Sequence, residues 1–218
     1  MVKGILKISQ ISKIYISKYP LIAFFLFLLF FFSSLVKPES YAVATRHHLA
    51  TDIGMRVLKE GGNAIDAAVA IAFALAVVNP SAGNLGGGGF MLLHIAETNE
   101  TLSIDYRERA PIKSFEKMFQ NNSGNVVKGL SLNSILASGV PGTVSGMFYV
   151  SEKFGLMNIK SLINPSIELA RKGFALSDFQ AKNLNKYYEK FSKNKEAKKT
   201  FTRPNGFSEG DILVQRNL

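Results

Sequence analysis

The chain has 218 residues, 47% of them hydrophobic, a net charge of +10 and no cysteine. That length holds one or two domains, and the missing cysteine excludes a disulfide framework, a thiol nucleophile and a cysteine-based metal site. Residues 1–40 contain five lysines and one glutamate, so they carry +4 of the charge and the rest of the chain carries +6. Many of the remaining lysines fall between Lys182 and Lys199 in a polar, helix-like region. A solvated helix face accounts for them. No nucleic-acid-binding signature accompanies the charge, so nucleic acid is not an expected partner.

Residues 1–20 are basic, and Tyr19 to Val36 carry no charge. The most apolar part, Leu21 to Phe32, has the length of a signal-peptide core, while the whole stretch is borderline for spanning a bilayer. Lysines precede it and Lys37 follows. Two readings remain open: an export signal, with Ser33-Ser34 or Ser40 at the cleavage site, or an uncleaved anchor with its N-terminus in the cytoplasm. Either one puts the chain after about residue 40 in the periplasm or at the cell surface, with residues 19–36 able to anchor it. The expected organisation is residues 1–40 as signal and residues 41–218 as the folded portion.

Tyr41 to Thr45 is short and strand-like. His47-His48 follow, but His94 is the sole other histidine, too few ligands for a metal site. Thr51 to Glu60 fits a helix with Ile53, Val57 and Leu58 on one side, ended by Gly61-Gly62. Asn63 then caps a second helix with Asp66 in its first turn. This helix runs to about Val78, is apolar nearly all round and is therefore expected to be buried. Pro80 stops it.

Four consecutive glycines follow, Gly86 to Gly89, between Leu85 and the apolar Phe90-Met91-Leu92-Leu93. Each costs about 0.5–1 kcal/mol inside regular structure. With apolar flanks they predict a buried, shaped loop that needs close backbone approach or positive φ, where a linker would have polar flanks. Phe90 to Ala96 and Thr101 to Tyr106 read as a hairpin closed by Glu97-Thr98-Asn99-Glu100. Leu102, Ile104 and Tyr106 alternate with Ser103 and Asp105, which covers one face. The second strand delivers Asp105, Arg107, Glu108 and Arg109 to its end beside the glycines, where sites are often built. A phosphate loop is not the reading, since no G-K-[ST] follows the glycines and the strand and helix stand in reversed order.

Pro141 is placed to open a helix running to Phe154. Ile159 to Lys172 is another, with Leu162, Ile163, Ile167 and Leu169 for the core. Ser177 caps a long polar helix to about Lys190. Ile212 to Gln215 starts a further apolar element.

Taken together, A-T-D-I-G-M-R-V-L-K-E-G-G-N-A-I-D-A-A-V-A, N-P-S-A-G-N-L-G-G-G-G-F-M-L, D-Y-R-E-R-A-P and A-S-G-V-P-G-T-V-S-G resemble the N-terminal part of the γ-glutamyltransferase (glutathione hydrolase) large subunit, over Tyr41 to Leu218. The order and combination of the motifs carry the resemblance. It implies an α+β fold of the N-terminal-nucleophile hydrolase type, an αββα sandwich, incomplete in this chain. It implies a self-cleaving precursor whose small subunit begins with the nucleophilic threonine, γ-glutamyl substrates such as glutathione, and no cofactor or metal. Nothing in the 218 residues resembles the processing junction or the small subunit. No catalytic residue is therefore assigned, and the small subunit is an expected partner. A membrane-anchored protein that only binds ligand or a partner, without catalysis, is the competing expectation.

The resemblance maps the arginine of the family's D-x-R-E motif onto Arg107, where it holds the α-carboxylate of the glutamyl group. A planar guanidinium suits that role, because it binds a carboxylate through two parallel hydrogen bonds. The residues alone favour a structural ion pair from Arg107 to Asp105 or Glu108, and the resemblance reverses that preference. Glu108 and Arg109 are expected to support the site, and Gly86 to Gly89 to shape its wall.

Overall fold

Fifteen residues from Ala64 to Val78 contain one charged side chain, and the chain buries nine of the fifteen. A computed structural model of the protein describes residues 41–82 and 85–218. The expected export segment lies outside the described residues. Val43 to Leu218 make one compact unit.

In chain order the elements are α1 (His48–Lys59), α2 (Ala64–Val78), β1 (Phe90–Ile95), β2 (Glu100–Asp105), α3 (Leu130–Asn133), a 3-10 turn (Ile135–Ala137), α4 (Thr143–Phe154), α5 (Ile159–Lys172), β3 (Phe174–Ala175), α6 (Asp178–Lys186), α7 (Tyr188–Ser192), α8 (Lys195–Phe201) and β4 (Ile212–Leu213). The described strands form two antiparallel pairs, β1–β2 and β3–β4. This is α+β, as expected, with only part of a sandwich present. No helix among the described residues is long and apolar enough to cross a membrane.

Helix α2 is the centre of the core, packed by α1, α4 and α5. Its alanines permit this, since Ala67, Ala70 and Ala74 are all buried. Gly54 of α1 lies where an added Cβ would sit 2.5 Å from Ile71 Cδ1, so the Ile71 side chain of α2 packs directly on the α1 backbone. Burial of Val69, Phe73, Val77 and Val78 stabilises the fold by about 1.5–3 kcal/mol per side chain.

Both ends of α2 are held by side chains. At the start, Asn63 and Asp66 form a capping box. The Asp66 carboxylate is fully buried. It accepts the N–H of Asn63 at 2.9 Å, of Leu156 at 3.0 Å and of Met157 at 3.2 Å. Asn63 Nδ2 donates to the Phe154 carbonyl at 2.6 Å. One short motif thus both starts α2 and fixes the turn between α4 and α5. At the other end, Gln215 Nε2 donates to the Val77 carbonyl and Gln180 Nε2 to the Val78 carbonyl, each at 2.7 Å. These satisfy carbonyls that a helix end leaves without partners.

Several expected boundaries shift. Helix α1 begins before Thr51, because His47 caps it by accepting the Leu49 N–H at 3.3 Å. It closes with Gly61 N–H on the Leu58 carbonyl and Gly62 N–H on the Val57 carbonyl. Gly61 has φ +95°, the left-handed position of a Schellman ending. Residues 41–45 carry no strand, and Val43 instead lies beside Gly54. Pro141 precedes the N-cap Gly142 of α4 rather than opening the helix. Ile167 is 43% exposed, because the buried stripe of α5 runs through Leu162, Ser166 and Ala170. The long polar helix breaks at Tyr187. There the Asn185 side chain turns to bind both backbone groups of Phe207, at 2.8 and 2.9 Å, and the Phe191 and Phe201 rings meet at 5.3 Å. The apolar stretch from Ile212 becomes β4, paired with β3.

Asp66→Ala removes the buried acceptor shared by three backbone N–H groups. We expect the variant to lose about 3–5 kcal/mol of stability, a large share of the roughly 5–15 kcal/mol available to a domain. Urea unfolding of parent and variant checks this, and a loss below about 1 kcal/mol would mean the three N–H groups find other partners.

Candidate functional site

The alternation of β2 turns Ile104 and Tyr106 towards the core and leaves Asp105 and Arg107 exposed. The hairpin ladder pairs Phe90 with Asp105. It continues one step further, with the Tyr106 N–H on the Gly89 carbonyl at 3.0 Å. From there the chain passes between two glycine segments. A Cβ on Gly88 would lie 2.5 Å from the Tyr106 carbonyl oxygen and 2.7 Å from Arg107 Cα, and a Cβ on Gly142 would overlap the same carbonyl oxygen. Gly146 faces the Tyr106 ring, where a Cβ would come to 2.6 Å. The backbone of Tyr106 and Arg107 is thus gripped from both sides at contact distances that only glycine permits.

The two glycine segments are also bonded to each other. The Gly87 carbonyl accepts the Gly142 N–H at 2.9 Å and the Thr143 N–H at 3.0 Å, so the glycine loop caps α4 where no side chain does. Beyond Arg107, Arg109 and Val140 exchange both backbone hydrogen bonds, at 2.8 and 3.1 Å. Three stretches far apart in sequence, around residues 87–90, 105–109 and 139–146, meet here. Between the last two runs a groove of about 830 Å³, with Arg107 and Arg109 on one wall and Pro141, Ser145 and Tyr149 on the other.

Within it, Asp105 Oδ1 accepts the backbone N–H of Arg107 at 2.9 Å and so fixes the turn out of β2. The Arg107 guanidinium stands 5.6 Å from the centre of the Phe90 ring, a cation–π arrangement. Among the described residues no carboxylate is within ion-pair distance of Arg107, while four ion pairs form elsewhere. The structural ion pair to Asp105 or Glu108 is therefore not made. Burial pushes the Tyr106 phenol up from its ordinary pKa, and its hydroxyl donates to the Phe90 carbonyl at 3.4 Å. A free guanidinium over an aromatic ring, at the edge of an open groove, can take a carboxylate or another planar anion.

Arg107, Glu108 and Arg109 come together at one groove, with the glycine segment packed directly behind Arg107. Only part of that segment behaves as expected: Gly87 is buried, Gly88 and Gly89 pack on Tyr106, but Gly86 is exposed with nothing near it. None of Gly86 to Gly89 has positive φ, so close approach is what the run provides. Sequence reading missed Phe90 as the rest for Arg107, and Gly142 and Gly146 as the opposite jaw. The P-G-T-V-S-G spacing held that signal, since two small residues four apart on a helix leave a flat face for another backbone. His47 serves as a helix cap stacked on His48 at 4.7 Å.

The model of the gamma-glutamyltranspeptidase family matches residues 50–218. The glutathione hydrolase proenzyme of Pseudomonas sp. (strain A14) is 45% identical over 185 residues, covering 84% of this chain and 32% of that protein. That of Escherichia coli (strain K12) is 44% identical with the same coverage. Among solved structures, the gamma-glutamyltranspeptidase of Helicobacter pylori superposes with a TM-score of 0.79 at 47% identity, covering 84% of this chain and 52% of that one. The chain thus spans about a third of the length of the curated relatives and about half of the solved chain.

The glycine jaws separate two outcomes. Gly142→Ala puts a methyl group into the Tyr106 carbonyl, where neither backbone can yield, and we expect a loss of about 3 kcal/mol or more, at or above the usual cost of overpacking. Gly86→Ala meets open space, and its effect stays within about 0.5 kcal/mol. Thermal unfolding of the two variants side by side measures the contrast, and equal melting temperatures would refute the grip on Tyr106.

Proposed function

The chain belongs to the gamma-glutamyltranspeptidase family, and from that premise we propose that it is part of a γ-glutamyltransferase or glutathione hydrolase in which Arg107 holds the α-carboxylate of the γ-glutamyl group. The observation that carries this reading is the Arg107 guanidinium itself: exposed, without a carboxylate partner among the described residues, and fixed at a groove by Phe90 and a glycine-gripped backbone. Arg107 binds and orients, and the nucleophile is a threonine supplied by a small subunit. Its hydroxyl attacks the γ-carbonyl carbon, the amine leaves with the proton, and a threonine ester remains. Water or an amino group then attacks that ester and restores the hydroxyl.

On this reading positioning residues without the nucleophile cannot form the acyl-enzyme. The purified 218-residue chain is expected to release no nitroaniline from γ-glutamyl-4-nitroanilide. Sustained release would locate a nucleophile within these residues and remove the small subunit from the scheme.

In a complete, processed enzyme that contains this region, Arg107→Lys keeps the charge and loses the two-point grip. Losing one partner of a desolvated charge pair costs about 2–5 kcal/mol, and lysine retains one contact, so the lower half of that range is expected. At about 1.4 kcal/mol per tenfold, kcat/KM for a γ-glutamyl donor falls roughly ten- to several hundredfold. The change sits mainly in KM, because the carboxylate is held alike in ground and transition states. A donor lacking the α-carboxylate should lose little further. If the variant separates the two donors as well as the parent does, Arg107 is not the carboxylate clamp.

A further inference from the structure

A second concave site lies apart from the Arg107 groove and shares no lining residue with it. It is a cavity of about 440 Å³, within the range of small-molecule sites. Its apolar wall is aromatic. Phe191 meets Phe201 at 5.3 Å and Tyr187 at 6.3 Å, and Phe179 stands 65% exposed beside them. The break between α6 and α7 at Tyr187 is what gathers these rings.

The polar side of the cavity carries charge of one sign. Arg46 and Lys190 line it, no aspartate or glutamate does, and neither cation has an ion-pair partner among the described residues. His47 adds no charge at neutral pH, because burial first, and then neighbouring His48, hold its pKa below the ordinary value. Hydrogen bonds tie the frame together. Gln180 spans from the Ser177 N–H to the Val78 carbonyl, at 3.1 and 2.7 Å, tying the start of α6 to the end of α2. Asn183, half-buried in the wall, offers an amide with no hydrogen-bond partner among the described residues.

We propose that this cavity is a second ligand site, for a small monoanion with an aromatic or apolar body, its ring among Phe179, Tyr187, Phe191 and Phe201 and its anionic group between Arg46 and Lys190. Aromatic walls take the body by area and by ring–ring contact, and two unpaired cations select the charge. Asn183 supplies a hydrogen bond that a carboxylate or an amide oxygen can accept. The site is independent of Arg107 and of the reaction proposed there.

The test is a ligand-observed NMR titration of the full 218-residue chain with N-acetyl-L-phenylalanine, and separately with its uncharged carboxamide. Saturable binding of the carboxylate is expected with a dissociation constant on the order of a millimolar. Arg46→Gln and Lys190→Gln, both exposed and so neutral to folding, each weaken it about two- to fivefold. The carboxamide is expected to bind the parent more weakly than the carboxylate does and to be indifferent to both variants. Phe179→Ala weakens both ligands, while Lys160→Gln, a lysine outside the cavity, changes neither. Absence of saturation, equal binding of acid and amide, or an effect of Lys160→Gln as large as that of Arg46→Gln overturns the proposal. Loss of binding in Arg107→Gln with Arg46→Gln unaffected would put the ligand in the other groove and overturn it as well.

Discussion

The grip on the Tyr106 carbonyl by Gly88 and Gly142 is the contact on which the geometry of the groove depends. Backbone packed on backbone cannot rearrange as a side chain can, so the path from β2 into Arg107 is set by atoms that have no alternative rotamer. The grip also assembles the rest. Because Gly88 and Gly142 hold the same carbonyl, the Gly87 carbonyl is brought to the first N–H groups of α4. The helix start, the strand end and the loop are therefore one unit, and moving any of them moves Arg107. This is how a residue that is itself exposed can still be well placed.

That unit is anchored to the core at a distance. Helix α4 leaves the groove at Thr143 and ends at Phe154, whose carbonyl accepts from Asn63. The next turn is held by Asp66. The carboxylate that starts α2 thus fixes the far end of the helix whose near end the glycine loop caps. A buried carboxylate is costly when alone, and here several backbone N–H groups and the positive end of α2 offset that cost. The core therefore reaches the site through hydrogen bonds to backbone, with packing of apolar side chains acting at α2 itself.

Much of this was legible in the sequence, for identifiable reasons. Asn63 and Asp66 have a local code for a helix start, and the all-round apolar run of α2 has a single physical solution. Ile159 to Lys172 matched its helix because its apolar residues recur at helical spacing. The misses share a cause. The break at Tyr187 depends on Asn185 reaching Phe207, and the exposure of Ile167 depends on which side of α5 faces α2; both are decided by partners remote in sequence. The site divides in the same way. Charges at the end of β2 beside glycines were visible as a cluster, and the resemblance singled out Arg107 among them. Phe90 as its support, and Gly142 and Gly146 as the opposite jaw, required the fold, because nothing in the spacing of residues 90, 107, 142 and 146 brings them together.

The exposure of Arg107 sets a further constraint. An ion pair in contact with water is worth about 1 kcal/mol or less, so an open groove can orient a carboxylate but cannot hold it tightly. The same guanidinium gains several-fold in strength once water is excluded and the effective dielectric falls. Phe90 begins that exclusion from one side, its ring centre 5.6 Å from the guanidinium carbon. The described residues provide the orientation and one aromatic neighbour. Strong binding at Arg107 then requires a second surface over the groove, which puts the orienting arginine and the binding energy it can deliver under separate structural control.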